Sequence, residues 1–502
     1  MKRLTRVLAA VLTATPLILA GSVAAGPAAH AATAYPPGGP DQKPVMGWSG
    51  WSFLRLGANT AQVEGEATAL ISTGLAAAGY NYVDIDDGWY QCPGSQGPNV
   101  DADGRWVVNP DTYPNVGSQS GIQALAAYVH SLGLKFGIYE TPGISAQAVA
   151  RNTPIAGTSE TADDIATTAS ENNYNCGGMD GLDYTKQGAQ AYVNSTVNEL
   201  ASWGVDYIKL DGITDQNGPD VEAWQAAIQQ SGRPMVLDAT EGSFTTALAP
   251  TLVKYANQWE FSPDIEFNGP DEGSGSTCNT APYTGCRSVF PLTSYADWSD
   301  RFDAVARWQP YGGPGGFNDY DSIEVGNGPK DSGMSLAAEE TQLSLWSLGS
   351  APLIVGGDLT SSVTNAYGTS AGLDPTDLSL LTNRQVIAVD QDSIDASRIA
   401  ESGTPGGKAG SQVFAKLEPC GDAVVGLFNT TTKLSSSPAT ITTTAAALGL
   451  PADAKGYQVQ DLWAGNSVVV GGQTTYDISA AGKITAKLPA EGVALLRVTP
   501  LS

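Results

Sequence analysis

Asp206-Tyr207-Ile208-Lys209-Leu210-Asp211-Gly212 is the stretch on which the fold turns. A short apolar strand carries one lysine, then runs into an aspartate and a glycine. Side chains alternate along a strand, so Lys209 and Asp211 point to one side. A buried ammonium there would hold Asp211 ionised, as a nucleophile requires. The same design recurs. Asn81-Tyr82-Val83-Asp84-Ile85 ends in Asp86-Asp87, and Lys135-Phe136-Gly137-Ile138-Tyr139 ends in a tyrosine. Pro234-Met235-Val236-Leu237 ends in Asp238, and Pro352-Leu353-Ile354-Val355 leads to Gly357-Asp358. Between these runs, Val63-Ala67-Leu70-Ile71 and Val193-Val197-Leu200 recur at helical spacing. Strand alternating with helix means parallel strands with crossover helices. The run from Val45 to about Gly357 predicts an α/β fold, a (β/α)8 TIM barrel, with a doubly wound open sheet as the structural alternative. No Gly-x-Gly-x-x-Gly opens a helix, so nothing supports a dinucleotide site. In a parallel barrel all strand C-termini open on one face, so the polar strand ends converge there.

Past about Ser393 the character changes. Thr, Ser, Val and Gly dominate, with alternation such as Gln412-Val413-Phe414-Ala415-Lys416-Leu417. This predicts a C-terminal antiparallel β-sandwich. The expected division is a signal peptide over 1–31, a catalytic barrel over 32–392 and a sandwich domain over 400–502. The signal reading rests on Lys2, Arg3 and Arg6 before an apolar run, closed by Ala29-His30-Ala31. It implies a secreted protein, which can keep disulfides. Cys278 with Cys286 is the first expected pair and Cys92 with Cys176 the second, and one of the five cysteines is left over.

The 502 residues carry 51 acidic and 25 basic side chains, a net charge of −26, and 2 histidines. That balance argues against nucleic acid or an anionic membrane as partner. It also disfavours a Ser-His-Asp triad or a His-rich metal site. His130 lies among helically spaced apolar residues and reads as a structural helix histidine. Asp101-Ala102-Asp103-Gly104 reads as a tight turn, because the other ligand positions of a calcium loop are not supplied. Neither metal nor cofactor is expected. Two carboxyl groups flanking a glycosidic bond suffice for hydrolysis without either. Trp48, Trp51, Trp89 and Tyr139, near the strand ends, are candidate stacking surfaces for a carbohydrate substrate.

Met46-Gly47-Trp48-Ser49-Gly50-Trp51, Ile85-Asp86-Asp87-Gly88-Trp89, Asp206 to Gly212, Gly313 to Asp319 with Glu324-Val325-Gly326-Asn327-Gly328, and Leu488 to Leu496 together resemble the ordered motifs of glycoside hydrolase family 27. The resemblance runs from about Val45 to Pro500. It implies a barrel followed by a β-sandwich, and a retaining mechanism that releases terminal α-D-galactosides through a covalent glycosyl-enzyme. By the same resemblance Asp211 is the nucleophile and Asp264 the general acid/base. Asp86 and Asp87 bind the sugar's outer hydroxyls. Trp51, Tyr139 and Lys209 line the pocket, and Glu241 reads the 2-substituent.

Three departures bear on the substrate. Glu260 stands where the family's galactosidases have an arginine that helps bind the 2-hydroxyl. Gly88 and Ile213 replace cysteines. Long segments, Asn152 to Asp180 and Glu266 to Ser294, are expected as loops on the catalytic face. Relatives that act as isomaltodextranase on α-1,6-glucan, or on β-L-arabinopyranosides, are therefore alternatives. A secreted carbohydrate-binding protein on an inactive barrel is the non-enzyme alternative.

Overall fold

The structure is a computed structural model that describes residues 42–94, 96–241, 244–266, 291–361, 364–365, 368–403, 410–432, 438–451, 454–464, 475–478 and 482–501. The expected signal segment and the Cys278–Cys286 pair lie outside these residues.

Eight parallel strands form one sheet. In chain order they are β1 (Met46–Ser49), β2 (Tyr82–Ile85), β3 (Lys135–Glu140), β4 (Tyr207–Leu210), β5 (Val236–Ala239), β6 (Gln258–Glu260), β7 (Phe317–Asp319) and β8 (Leu353–Val355). They are neighbours in that order, and β1 also pairs with β8. The segment after β7 closes the ring. Ile323 donates its N–H to Ile354 O at 2.7 Å and accepts from Gly356 N at 3.0 Å. The chain thus forms the (β/α)8 barrel, not the open sheet.

Period-two alternation sorts the strand side chains. Val83, Ile85, Ile208, Leu237 and Trp259 join the main apolar core. The intervening residues fill the barrel. At one end Val45, Tyr82, Tyr207 and Val236 form a separate apolar cluster. Above them comes a polar layer. Tyr207 Oη donates to Asp238 Oδ2 at 2.5 Å, and Gln258 Nε2 to the same oxygen at 3.4 Å. Gly137 on β3 makes room for this layer, because a Cβ there would lie 2.5 Å from Asp84 Oδ1 and 3.0 Å from the Tyr207 ring. The last layer, at the strand C-termini, holds the candidate site.

Local signals fix the helices. Asn59 Oδ1 caps the helix Thr60–Ser72 by accepting from Gln62 N at 3.2 Å, and Ser120 Oγ caps Gly121–Ser131 from Gln123 N at 3.2 Å. Gly204, at φ 92°, ends the helix Gln187–Trp203 in the left-handed conformation that lets the chain turn into β4. His130 on Gly121–Ser131 sits 2.7 Å from Asp206 Oδ2, a structural contact as expected. None of the described helices is long and apolar enough to cross a membrane.

The segment expected as a loop from Asn152 to Asp180 has its own structure. Short helices, Ala146–Arg151 and Ala162–Ile165, lie between the first and second strands of a three-stranded antiparallel sheet of Ile144–Ser145, Ala166–Glu171 and Met179–Leu182. The second expected disulfide, Cys92–Cys176, ties it to the chain that follows β2. Cys420 is free and exposed.

After the barrel, two antiparallel sheets of five and three strands enclose a second apolar core that includes Val425, Leu427, Ile484 and Leu496. This β-sandwich packs on the barrel through aromatic contacts. Phe302 meets Phe428 edge-on at 5.1 Å and Phe414 at 6.2 Å between ring centroids. Lys416, wholly buried, donates to Val389 O at 2.6 Å, Ile394 O at 2.9 Å and Asp392 Oδ1 at 2.9 Å.

Candidate active site

Two groups of carboxylates meet at the C-terminal end of the barrel. The first is built on β2 and β4. Asp86, the residue after β2, is buried and receives the Lys209 ammonium at 2.7 Å. Asp211 is the residue after β4. Its N–H donates to Glu140 O at 2.8 Å, and its Oδ1 accepts from Thr240 Oγ1 at 3.1 Å. Burial pushes the Asp211 carboxyl up to about 7. Lys209 opposes the rise, while Asp264 and Asp86 add to it. Lys209 is expected to hold Asp211 ionised, and it does pull in that direction. The ammonium bonds Asp86 directly, and its pull on Asp211 is outweighed by desolvation.

Asp87 is held from three sides. Tyr90 Oη donates to Oδ1, Gly88 N to the same oxygen at 2.7 Å, and Asn175 Nδ2 to Oδ2 at 2.5 Å. Burial outweighs these bonds and lifts the carboxyl to about 6. Asn175 arrives on the antiparallel insert, next to the Cys92–Cys176 bridge. The insert therefore completes this wall of the site.

Tyr139 is buried on β3, and its hydroxyl has no hydrogen-bond partner. Burial raises its pKa, and Asp87 and Asp211 raise it further, so it stays a neutral phenol. A bound hydroxyl would satisfy it. Trp51 is half-buried with the Arg55 guanidinium 4.8 Å over its ring. Trp48 and Trp89 are not stacking surfaces. Both are core residues whose indole N–H groups bond backbone, Gly357 O at 2.9 Å and Tyr139 O at 2.8 Å. Glu241 follows β5 at φ 119°, a strained conformation for a side-chain-bearing residue.

The second group surrounds the end of β6. Glu260, its last residue, is 3% exposed, and its Oε1 has no hydrogen-bond partner. Carboxylate oxygens of Glu260, Asp264 and Asp321 all lie within 4.8 Å of one another. Asp264 is exposed on the loop after β6. Asp321 fixes that loop, its Oδ2 accepting from Ile265 N at 2.6 Å. Arg301, 1% exposed, donates to Pro263 O and to Tyr320 O at 3.3 Å, with Asp321 Oδ2 at 4.0 Å. Burial, then Asp321 and Asp264, hold the Glu260 carboxyl well above its usual range. Burial likewise raises Asp321 to about 6 and Glu324 to about 8. Ser52 Oγ lies 2.7 Å from both Glu266 Oε1 and Glu324 Oε1. A hydroxyl has one proton to give, so one of these acids is protonated.

Sequence reasoning thus named residues that the barrel brings together: Asp86, Asp87, Tyr139, Lys209, Asp211, Glu260 and Asp264. It missed Asp321, Glu324, Tyr90, Asn175 and Thr240. Asp319-x-Asp321 after a strand was the available signal for the first of these. Asn175 carried none, since it reaches Asp87 only through the fold of the insert. The oxygen-only set of Glu260, Asp264 and Asp321 is also the kind that a hard divalent cation takes.

The chain was compared with known proteins. The family profile described as "Alpha galactosidase A" matches residues 44–185 and 286–392, and that described as "Alpha galactosidase C-terminal beta sandwich domain" matches 408–498. An α-galactosidase of Oryza sativa subsp. japonica is 31% identical over 443 residues, which is 87% of this chain and 82% of that one. Among solved structures, a β-L-arabinopyranosidase from Geobacillus stearothermophilus superposes with a TM-score of 0.73 at 26% identity, covering 91% of this chain and 97% of that one. α-Galactosidase I from Mortierella vinacea superposes with a TM-score of 0.63, also at 26% identity, covering 92% and 99%.

Proposed function

The chain belongs to glycoside hydrolase family 27, and on that premise we propose that it releases terminal α-D-galactosides with retention of configuration. The observation that carries the reading is the pair of carboxylates at the strand ends. Asp211 is half-buried within the electrostatic reach of Lys209, and Asp264 is exposed. Asp211, once ionised, attacks the anomeric carbon and forms a covalent glycosyl-enzyme. Asp264 protonates the departing oxygen, then takes a proton from the water that hydrolyses the intermediate. Its exposure suits a group that meets first the leaving sugar and then solvent. Asp86, Asp87 and Tyr139 bind the outer hydroxyls, and Lys209 holds Asp86 in place. Trp51 offers an apolar ring face at the rim, and Glu241 reads the 2-substituent. The expected N-terminal signal and the Cys92–Cys176 disulfide fit a secreted enzyme.

The test is turnover of an aryl α-galactoside. Asp211→Asn should lower kcat by about 10⁴-fold or more while the thermal transition stays in place. Substantial residual turnover would remove Asp211 from the nucleophile role. Asp264→Ala should lose about 10²–10⁴-fold with poor leaving groups, and azide should restore turnover as glycosyl azide. A second reading rests on the likeness to the arabinopyranosidase structure. A β-L-arabinopyranoside has the same ring without the exocyclic carbon. Faster release of arabinose than of galactose in a product screen would favour it.

A further inference from the structure

Glu260 is one of four acids in its group, with Asp321, Glu266 and Glu324, that the mechanism above leaves without a role, and it is the one that meets Asp264 from the end of a barrel strand. It is buried at the end of β6, its Oε1 has no partner, and two more carboxylates approach it within 4.8 Å. Among the described residues no cation is hydrogen-bonded to Glu260, and the ion pair that reaches its cluster is the long Arg301–Asp321 contact of 4.0 Å. Lys209 bonds Asp86, and Arg301 bonds the carbonyls of Pro263 and Tyr320. With a neutral ligand the crowding is relieved only by a proton held within the cluster. A ligand that brings its own positive charge would relieve it. An ammonium with N–H···O distances of about 2.8 Å holds two acceptors about 4.6 Å apart, which the spacing of this cluster accommodates.

Position selects which amine. Asp264 acts on the glycosidic oxygen, and the substituent on the neighbouring ring carbon is gauche to that oxygen. Asp264 is exposed and Glu260 buried, which assigns the leaving sugar to the outer side of Asp264 and Glu260 to the ring that is cleaved. We propose that the site takes an α-linked 2-amino-2-deoxygalactoside, a galactosaminide with a free, protonated amine, and that Glu260 is the acceptor of that amine. This rests on the reading of the reaction given above, adds the class of sugar, and gives Glu260 a share with Glu241 in reading the 2-substituent. The bond cleaved and the roles of Asp211 and Asp264 stay the same.

A protonated amine beside the reacting carbon withdraws electrons and slows the chemical step, so the test is made on binding. Calorimetry of the wild-type chain in EDTA, at a pH where the amine is charged, compares galactosamine, galactose and N-acetylgalactosamine. Galactosamine should bind at least about tenfold tighter than the other two, about 1.4 kcal/mol. Glu260→Gln, nearly the same shape, should remove that advantage, and Glu260→Arg should reverse it. Equal or weaker binding of galactosamine by the wild type overturns the proposal. So does an advantage that survives Glu260→Gln. Failure to hydrolyse both the aryl galactoside and the aryl galactosaminide would instead overturn the reading of the reaction, and the binding comparison would still decide the role of Glu260.

Discussion

Lys209 is placed where it tunes two carboxylates at once. It bonds Asp86 and lowers the pKa of Asp211, which burial has already pushed up to about 7. Attack requires the ionised form, so kcat/KM should climb as pH rises through that value. Lys209→Met removes the cation that stabilises the charged form. The acidic limb should then move upward by about one pH unit or more. A limb that stays in place, with a lower rate, would mean that Lys209 acts on Asp86 alone. At this scale the sequence was partly readable. Asp86, Lys209 and Asp211 announced themselves because period-two alternation carries them to the open end of two strands. Asp321 and Glu324 did not, because their places depend on the path of the loop after β7, which no periodicity encodes. The balance at Asp211 was only half legible for a related reason. Proximity of Lys209 in sequence was legible, but the competing partner Asp86 lies 123 residues away.

Elements show the same division. Five of the eight barrel strands, β2, β3, β4, β5 and β8, were visible as apolar runs leading to a polar residue, while β1, β6 and β7 were not. The insert between β3 and β4 was not visible. Its strand Ala166–Glu171, Ala-Thr-Thr-Ala-Ser-Glu, offers little apolar alternation and is mostly exposed. What holds the insert is pairing with Met179–Leu182 and the Cys92–Cys176 link across 84 residues of chain. Replacing both cysteines by alanine should cost roughly 2–4 kcal/mol, read as a lower thermal midpoint. It should also raise KM with little change in kcat, because Asn175 would no longer be delivered to Asp87. An unchanged KM would show that the insert keeps its place without the bridge.

For the molecule as a whole, buried acid is the dominant electrostatic fact. Burial raises Glu66, Asp84, Glu140, Glu260 and Asp319 well above their usual range, and Glu339 and Glu340 to about 8. The folded chain therefore holds protons that the unfolded chain releases above about pH 4. Stability must fall as pH rises from there through the folded values near 8. The thermal midpoint should drop by several degrees between about pH 5 and pH 8. A midpoint that is flat or rises over this window would show that these acids are ionised in the fold. The barrel and the sandwich were both legible as classes, from alternating strand and helix and from a later shift to Thr-, Ser- and Val-rich strands. How they join was not, and Lys416 is the reason to care. Its ammonium is inserted like a bolt into backbone carbonyls of the preceding unit. A recombinant fragment ending near residue 400 would leave those carbonyls and Asp392 without their cation and uncover the face of Phe302. Shortened versions for expression or fusion should therefore aggregate, and new modules belong beyond the last strand rather than between the two units.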